Sequence, residues 1–290
     1  MPVGDSVEAF GVLGDETRVA IIEALVEANR ESPTNSSLSF SELRDRTGIG
    51  DSGRFNYHLE KLVGRFVERV EDGYRLSYTG TYVAGAVLSG FAQDAPATID
   101  SHELAPCPVC ETTLEAVYAD GILRVGCANN HMFANWVSPR AFNDRDIESV
   151  VELAAVRAIG RLRQAQRGSC PMCFGHVAWE LVPSEDDSDS LPKVSHRGQC
   201  QACGVPYMAT PGTFVVWAPA VQAALYAHGV NVWEAPARWF IKCEALHVDS
   251  VDIPMGHVTV SGEIDPVSLT AVVDERGDLR EVDIHEADSA

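Results

Sequence analysis

Lysine is almost missing from this 290-residue chain: Lys61, Lys193 and Lys242 stand against nineteen arginines. Cysteine is missing altogether before position 107, which excludes thiol chemistry and cysteine-held metal from the first third. No apolar run approaches the roughly 18–20 residues that a membrane-spanning helix needs, so no membrane partner is expected. Met1–Phe10 carry Asp5 and Glu8 without a basic cluster, which is not the pattern of a secretory signal. There is no phosphate-cradling glycine loop, nucleophile elbow, metalloprotease helix or recognisable carboxylate pair, so an enzymatic reading has no residues to rest on. These absences lead to the expectation of a soluble, cytoplasmic protein that is not an enzyme.

What is present allows packed cores: 46% of residues are hydrophobic and 22% charged. The length suits two or three domains of about 100–150 residues. Asp plus Glu number 42 against 22 Lys plus Arg, a formal net charge of −20. An acidic, lysine-poor chain of this kind has the composition of a cytosolic protein adapted to concentrated salt. There the acidic surface serves solubility and says little about partners. The distribution says more. Residues 40–75 hold seven basic and seven acidic side chains, residues 106–170 hold the same, and residues 171–290 hold six and eighteen. Two neutral islands therefore sit in an acidic chain.

The first island carries a helical pattern. Asp15 is a good N-cap, and Val19, Ile22, Leu25 and Val26 recur at helical spacing to about Asn29. A polar loop, Glu31–Ser37, follows. Ser41 is the expected cap of a short helix, Glu42–Thr47, and Gly48-Ile49-Gly50 is a tight turn. Asp51 or Ser52 caps a third helix, Arg54–Val63, and Asp72-Gly73 between two β-prone runs predicts a hairpin. On the third helix Phe55, Leu59 and Leu62 form one stripe, continued by Phe66. Arg54, Tyr57, His58 and Lys61 form the opposite one. The second stripe offers cations and hydrogen-bonding tips suited to phosphates and base edges in a major groove. Ser52 and Asn56 beside it, and Arg69 and Arg75 flanking the hairpin tip, complete the candidate DNA-contact set, although Glu68, Glu71 and Asp72 would repel phosphate. An apolar helix is expected over Tyr78–Phe91.

Helix, short helix, glycine turn, helix and hairpin is the winged helix-turn-helix pattern. The segments FGVLGDETRVAIIEAL, FSELRDRTGIGDSGRFNYHLEKL and RFVERVEDGYRLSYTG resemble the winged-helix transcriptional regulators of the ArsR type, especially those of halophilic archaea. The resemblance covers about residues 7–91. It implies a homodimer that binds double-stranded DNA, with the helix around Arg54–Leu62 as reader and the helix after the hairpin packing between protomers. Relatives often bind metal through cysteines near this motif. The segment has none, so that role is not carried over.

Seven of the eight cysteines and one histidine fall into two sets. One is Cys107-x2-Cys110, then Cys127-x3-His131. The other is Cys170-x2-Cys173, then Cys200-x2-Cys203. Each has the spacing of a zinc ribbon, two short knuckles giving four ligands, and filled four-coordinate sites are structural, not catalytic. The expected cofactor is therefore Zn2+, two ions per chain. CPVC matches CPMC, and CANNHMFANWVSP is similar to CQACGVPYMATPG, which reads as an internal duplication. Disulfides, a redox dithiol and an iron site are the alternatives. A cytosolic setting disfavours the first, and paired knuckles disfavour the second. The insert Ser184–Ser190 reads as a hairpin tip, and Cys243 as a small buried apolar residue.

Asp144–Arg167 reads as a long helix with Ile147, Val150, Val151, Ala154, Ala155, Ala158, Ile159 and Leu162 on its apolar face. Arg157, Arg161, Arg163 and Arg167 crowd its C-terminal half, where cations complement the helix dipole or form a second phosphate-facing patch. Phe214–Val230 suggests a strand and helix, and Trp233, Trp239 and Phe240 an aromatic core. From Phe240 onward the pattern alternates like strands, with VDERGDL as a hairpin.

The expected fold class is thus α+β and multidomain. A winged helix-turn-helix (7–91) and a linker (92–106) precede a first zinc ribbon (107–142) and a connecting helix (143–168). A second ribbon with its following helix (169–235) and a β-rich segment with an acidic tail (236–290) complete it. The expected function is a DNA-binding transcriptional regulator whose ribbon region serves structure, a signal or a protein partner. The alternatives are an interaction module of the initiation machinery, and a thiol or metal sensor. Archaeal general initiation factors also join a winged helix to a zinc ribbon, but carry one ribbon and a shorter tail.

Overall fold

The computed structural model describes residues 11–32, 36–90, 98–183, 194–252 and 255–287. The chain divides into two compact units, Met1–Asp94 and Ala95–Ala290. Both are mixed α/β, built from helices and small antiparallel sheets.

In the first unit, helix α1 (Glu16–Glu31) starts where the Asp15 carboxylate accepts the Arg18 N–H, and it buries Ile21, Ile22, Leu25 and Ala28. The buried face is turned slightly from the expected one, leaving Val19 and Val26 half-buried. Helix α2 (Phe40–Thr47) is capped by Ser39, not by Ser41. Ser39 and Glu42 exchange backbone and side-chain hydrogen bonds as a capping box, which satisfies two N–H groups where Ser41 would satisfy one. Gly48 ends the helix at φ 68°. Asp51 caps helix α3 (Ser52–Leu62) by accepting from Gly53 and Arg54, and Phe55, Leu59 and Leu62 face the core. Strands β1 (Val67–Val70) and β2 (Gly73–Leu76) form the hairpin, with Glu71 and Asp72 as its turn. Leu38 bridges Tyr74 in both directions, so its carbonyl oxygen lies 2.1 Å from where a Cβ on Gly73 would sit. Helix α4 (Tyr78–Leu88) buries only Gly80 and Ala84 and leaves Tyr78, Tyr82 and Val87 exposed. Phe91 lies outside the described residues.

The second unit opens with strand β3 (Ile99–Pro106), within the segment expected to be a linker. Its polar sequence is tolerated because it is an edge strand, paired only with β4 (Thr113–Ala119). Strands β5 (Ile122–Cys127) and β6 (Met132–Trp136) complete a four-stranded meander. Helix α5 (Ile147–Gln166), capped by Asp146, packs Ile147, Val150, Val151, Ala154 and Ala155 into the core beneath that sheet. Strands β7 (Val177–Pro183), β8 (Val194–Cys200) and β9 (Pro206–Ala209) form a second, three-stranded sheet. The acidic insert 184–190 between β7 and β8 lies outside the described residues.

The strand expected from Phe214 is instead helical. Helices α6 (Pro211–Val216) and α7 (Pro219–Ala227) each begin on a proline, and α6 is buried along its whole length. Burial on all sides overrides the strand preference of Phe-Val-Val. Phe240 lies within a helix, α8 (Pro236–Lys242), rather than in a strand. A last meander, β10 (His247–Asp252), β11 (His257–Ile264), β12 (Val267–Asp274) and β13 (Leu279–Glu286), follows. One core joins Ile159 and Leu162 of α5, Val194, Phe214–Val216, Trp217, Trp239 and the β11–β12 valines. Trp233, expected inside, is half-exposed against the Trp217 ring.

Candidate functional site

The second unit brings together both expected sets of ligands. Within Cys107, Cys110, Cys127 and His131, and within Cys170, Cys173, Cys200 and Cys203, the donor atoms all lie within 4.8 Å of one another. Each set can hold a metal ion. The separations are 3.7 Å for Cys110–Cys127, 3.6 Å for Cys107 Sγ to His131 Nδ1 and 3.5 Å for Cys127 Sγ to His131 Nδ1. In the second set Cys170–Cys203 is 3.7 Å and Cys173–Cys200 is 3.5 Å. A disulfide needs about 2.05 Å, and all eight cysteines are free.

Backbone turns aim these groups. In three knuckles the first cysteine, Cys107, Cys170 or Cys200, donates its N–H to the carbonyl five residues on, at 2.8, 2.8 and 3.0 Å. The residue four on, Glu111, Phe174 or Gly204, donates back to that cysteine's carbonyl and has φ of 61°, 59° or 74°. The left-handed residue closes the turn and leaves both sulfurs on its inner side. The Cys127 knuckle is one residue shorter. Asn130 takes the left-handed position (φ 62°), and Cys127 donates to the His131 carbonyl at 3.2 Å. His131 therefore enters from just beyond the turn, where the longer imidazole reaches the cluster. Gly175 is required by proximity: a Cβ there would lie 3.1 and 3.2 Å from the Cys200 and Cys173 sulfurs.

Polar groups outside the two sets favour thiolate. The Thr112 hydroxyl, 3.1 Å from Cys110 Sγ, and the Thr112 N–H draw the Cys110 thiol down to about 5. Burial opposes charge at Cys170. The Tyr207 hydroxyl at 3.1 Å and the Met172 and Cys173 N–H groups outweigh it and hold that thiol at about 6. Burial pushes Cys107 up to about 11. Thr112 and Tyr207 were not singled out by sequence reasoning. The only signal for Tyr207 was its place in the aromatic run after the last knuckle. Cys243 is buried beside Thr213 with its thiol pushed up to about 12 by burial, away from both sets.

In the first unit, α3 exposes Ser52, Arg54, Asn56, Tyr57 and Lys61 together. Tyr57 is 59% exposed, and the Lys61 ammonium lies 5.5 Å from its ring centroid. Arg54 is held only loosely, 3.5 Å from Thr17 Oγ1 and 3.9 Å from Glu16. His58 departs from the expected stripe. Its side chain is 12% exposed and its Nδ1 lies 3.2 Å from Oδ1 of Asp15, the carboxylate that caps the start of α1. The hairpin arginines are already engaged, Arg69 with Glu60 and Arg75 with Glu68.

No helix among the described residues is long and apolar enough to cross a membrane. No curated protein matches the chain. Residues 6–87, which span the three helices, hairpin and α4, match the family described as "Domain of unknown function (DUF7347)". Residues 105–279, with both clusters and the cores around them, match that described as "Domain of unknown function (DUF7351)", and the chain belongs to this family.

Proposed function

We propose that the protein is a DNA-binding transcriptional regulator. In this reading the first unit is an ArsR-like winged helix-turn-helix, and α3 enters the major groove. The observation that carries it is the exposed face of α3, where Arg54, Asn56, Tyr57 and Lys61 stand together in a chain of net charge −20, Arg54 meeting a carboxylate only at the 3.9 Å reach of Glu16. Cations and amide tips on one helix face, ahead of a hairpin, suit direct base readout and phosphate contact. The exposed Tyr78, Tyr82 and Val87 of α4 support a homodimer through that helix, and a two-fold protein suits a palindromic site. The clusters are read as structural zinc sites. Tetrahedral zinc with bonds of about 2.3 Å to sulfur and about 2.05 Å to nitrogen places ligand atoms about 3.5–3.8 Å apart. Five of the donor pairs have that spacing, at 3.5–3.7 Å, the rest lie within 4.8 Å, and all four positions in each set are offered by protein.

Mapping genome-wide occupancy of the tagged protein tests this reading. Discrete palindromic sites are expected. Recruitment to most promoters would favour the alternative, a module of the initiation machinery, for which the carboxylate-held Arg69 and Arg75 speak. In binding assays across a salt series, an Arg54→Ala/Lys61→Ala double variant should bind its site at least tenfold more weakly than wild type, since a base contact is worth about 1–3 kcal/mol. Equal affinity would remove α3 as the reader.

A further inference from the structure

The two cluster-bearing sheets contribute equivalent strands to one cleft. β6 follows the second knuckle of the first cluster and β9 that of the second, and each is the outer strand of its sheet. Three consecutive residues of β6, Ala134–Trp136, and three of β9, Pro206–Met208, line a cleft of about 330 Å3 with α5 along its side. That volume is in the range of small-molecule sites.

The chemistry of the walls is selective. Trp136 and Met208 are 43% and 60% exposed, and Phe240 and Tyr207 add aromatic surface. Arg161 lies with its guanidinium 5.2 Å from the Trp136 ring centroid, and its Nε is buried without a hydrogen-bond partner among the described residues. Arg124, exposed on β5, also lines the cleft. Arg157, one turn before Arg161, feels its charge: burial first, and then Arg161, lower the Arg157 pKa. Among the described residues no carboxylate lies within ion-pair distance of these three arginines. No acidic residue lines the cleft, although acids outnumber bases 42 to 22 in the chain. A chain with a large acidic excess thus leaves guanidinium groups without a carboxylate counter-ion beside a tryptophan.

We propose that this cleft binds a small aromatic anion, a planar ring carrying a carboxylate or a phosphate. The ring would lie against Trp136, Met208 and Phe240, and the anionic group would take the fork of Arg161 with Arg124. Arginine matches both oxyanions in bidentate geometry, and the aromatic wall suits a planar body. A neutral ligand would leave the arginine charges without a counter-ion, and a cation would be repelled. The site needs neither DNA nor the regulatory reading above, so its failure and that reading's failure are separable.

Calorimetric titration of the metal-replete full chain tests it, with indole-3-acetate as carboxylate probe, AMP as phosphate probe, and indole and adenosine as their neutral counterparts. At least one anion should saturate one site per chain with Kd below about 1 mM, and which one binds separates the two sources. The neutral counterpart should bind at least tenfold more weakly. Arg161→Met should weaken the anion at least tenfold, and the indole N–H resonance of Trp136, assigned with Trp136→Phe, should move during the titration. Arg124→Ala changes an exposed side chain and should weaken binding as well; it decides the matter if Arg161→Met proves unfolded by circular dichroism. The proposal is overturned if neither anion saturates, if the neutral counterparts bind equally well, or if the folded arginine variants all keep wild-type affinity.

Discussion

At the scale of single residues, two side chains outside the ligand sets should reveal how the second unit is held. Tyr207 donates to Cys170 Sγ at 3.1 Å, and groups of this kind fix ligand orientation and charge. Their loss typically costs about 10–100-fold in metal affinity. Tyr207→Phe should therefore weaken the second cluster about tenfold in a chelator competition while the first cluster keeps its affinity. Equal loss at both would mean general destabilisation. Glu244 is different: burial raises its pKa to about 7, and its Oε2 has no partner among the described residues. Since the folded pKa lies above the unfolded value of 4.5, the folded state binds more protons between these two pH values. Stability is then fully present below about pH 4.5 and lost as pH rises through 7, by at most about 3 kcal/mol. Glu244→Gln should remove that loss, so the variant should resist urea better than wild type at pH 8 and match it near pH 5. A wild-type advantage at pH 8 would disprove the assignment.

At the scale of elements, what could be read in advance followed the local signals. Asp15, Asp51 and the alternation of Phe55, Leu59 and Leu62 mark α1 and α3 because caps and helical stripes are written within a few residues. The ligand spacing placed both clusters for the same reason: each knuckle is a local turn. Ser41 and Ser39 carry the same capping side chain, and only the reciprocal bond with Glu42, three residues on, distinguishes Ser39 as the cap. Ile99–Pro106 gave no strand signal because its partner, β4, and not its own pattern, makes it a strand. Phe214–Val216 looked like a strand, but Pro211 and burial on every side make it a helix. The cleft between β6 and β9 could not be read at all, since it depends on two strands of different sheets, 70 residues apart from Trp136 to Pro206. The knuckle, as the repeating element, carries its own prediction. The two clusters share no ligand, so Cys203→Ser should lose one of two metal ions by elemental analysis. Loss of both, or zero or one ion in freshly purified reduced wild type, would overturn the two-site assignment.

At the scale of the molecule, the three sheets of the second unit should lean on metal to different degrees. The β3–β6 sheet is backed by α5 through a core that includes Tyr118, Leu123, Val125, Phe133, Val150 and Ala155. The meander β10–β13 shares the largest core with α6, α7 and Trp217. The knuckle end of β7–β9 buries Ala165, Cys170, Val177, Cys200 and Tyr207, with Trp179 and Val205 half-buried against them, and two of the five buried residues belong to the candidate ligand set. So small a core does not offset the conformational entropy of ordering the knuckles, and metal binding must supply the difference. Chelation should therefore act unevenly. Amide exchange should accelerate first in residues 170–177 and 200–207, and later in 107–112 and 127–132. Helix α5 and strands β11 and β12 should keep their protection. The first unit has no cysteine and its own core around Ile21, Leu25, Leu43, Phe55 and Leu59, so α1–α3 should exchange as before. Uniform acceleration across residues 99–286 would show that the metals hold the whole second unit as one cooperative block. Unchanged exchange at 170–177 after verified metal loss would show that the knuckles fold without it.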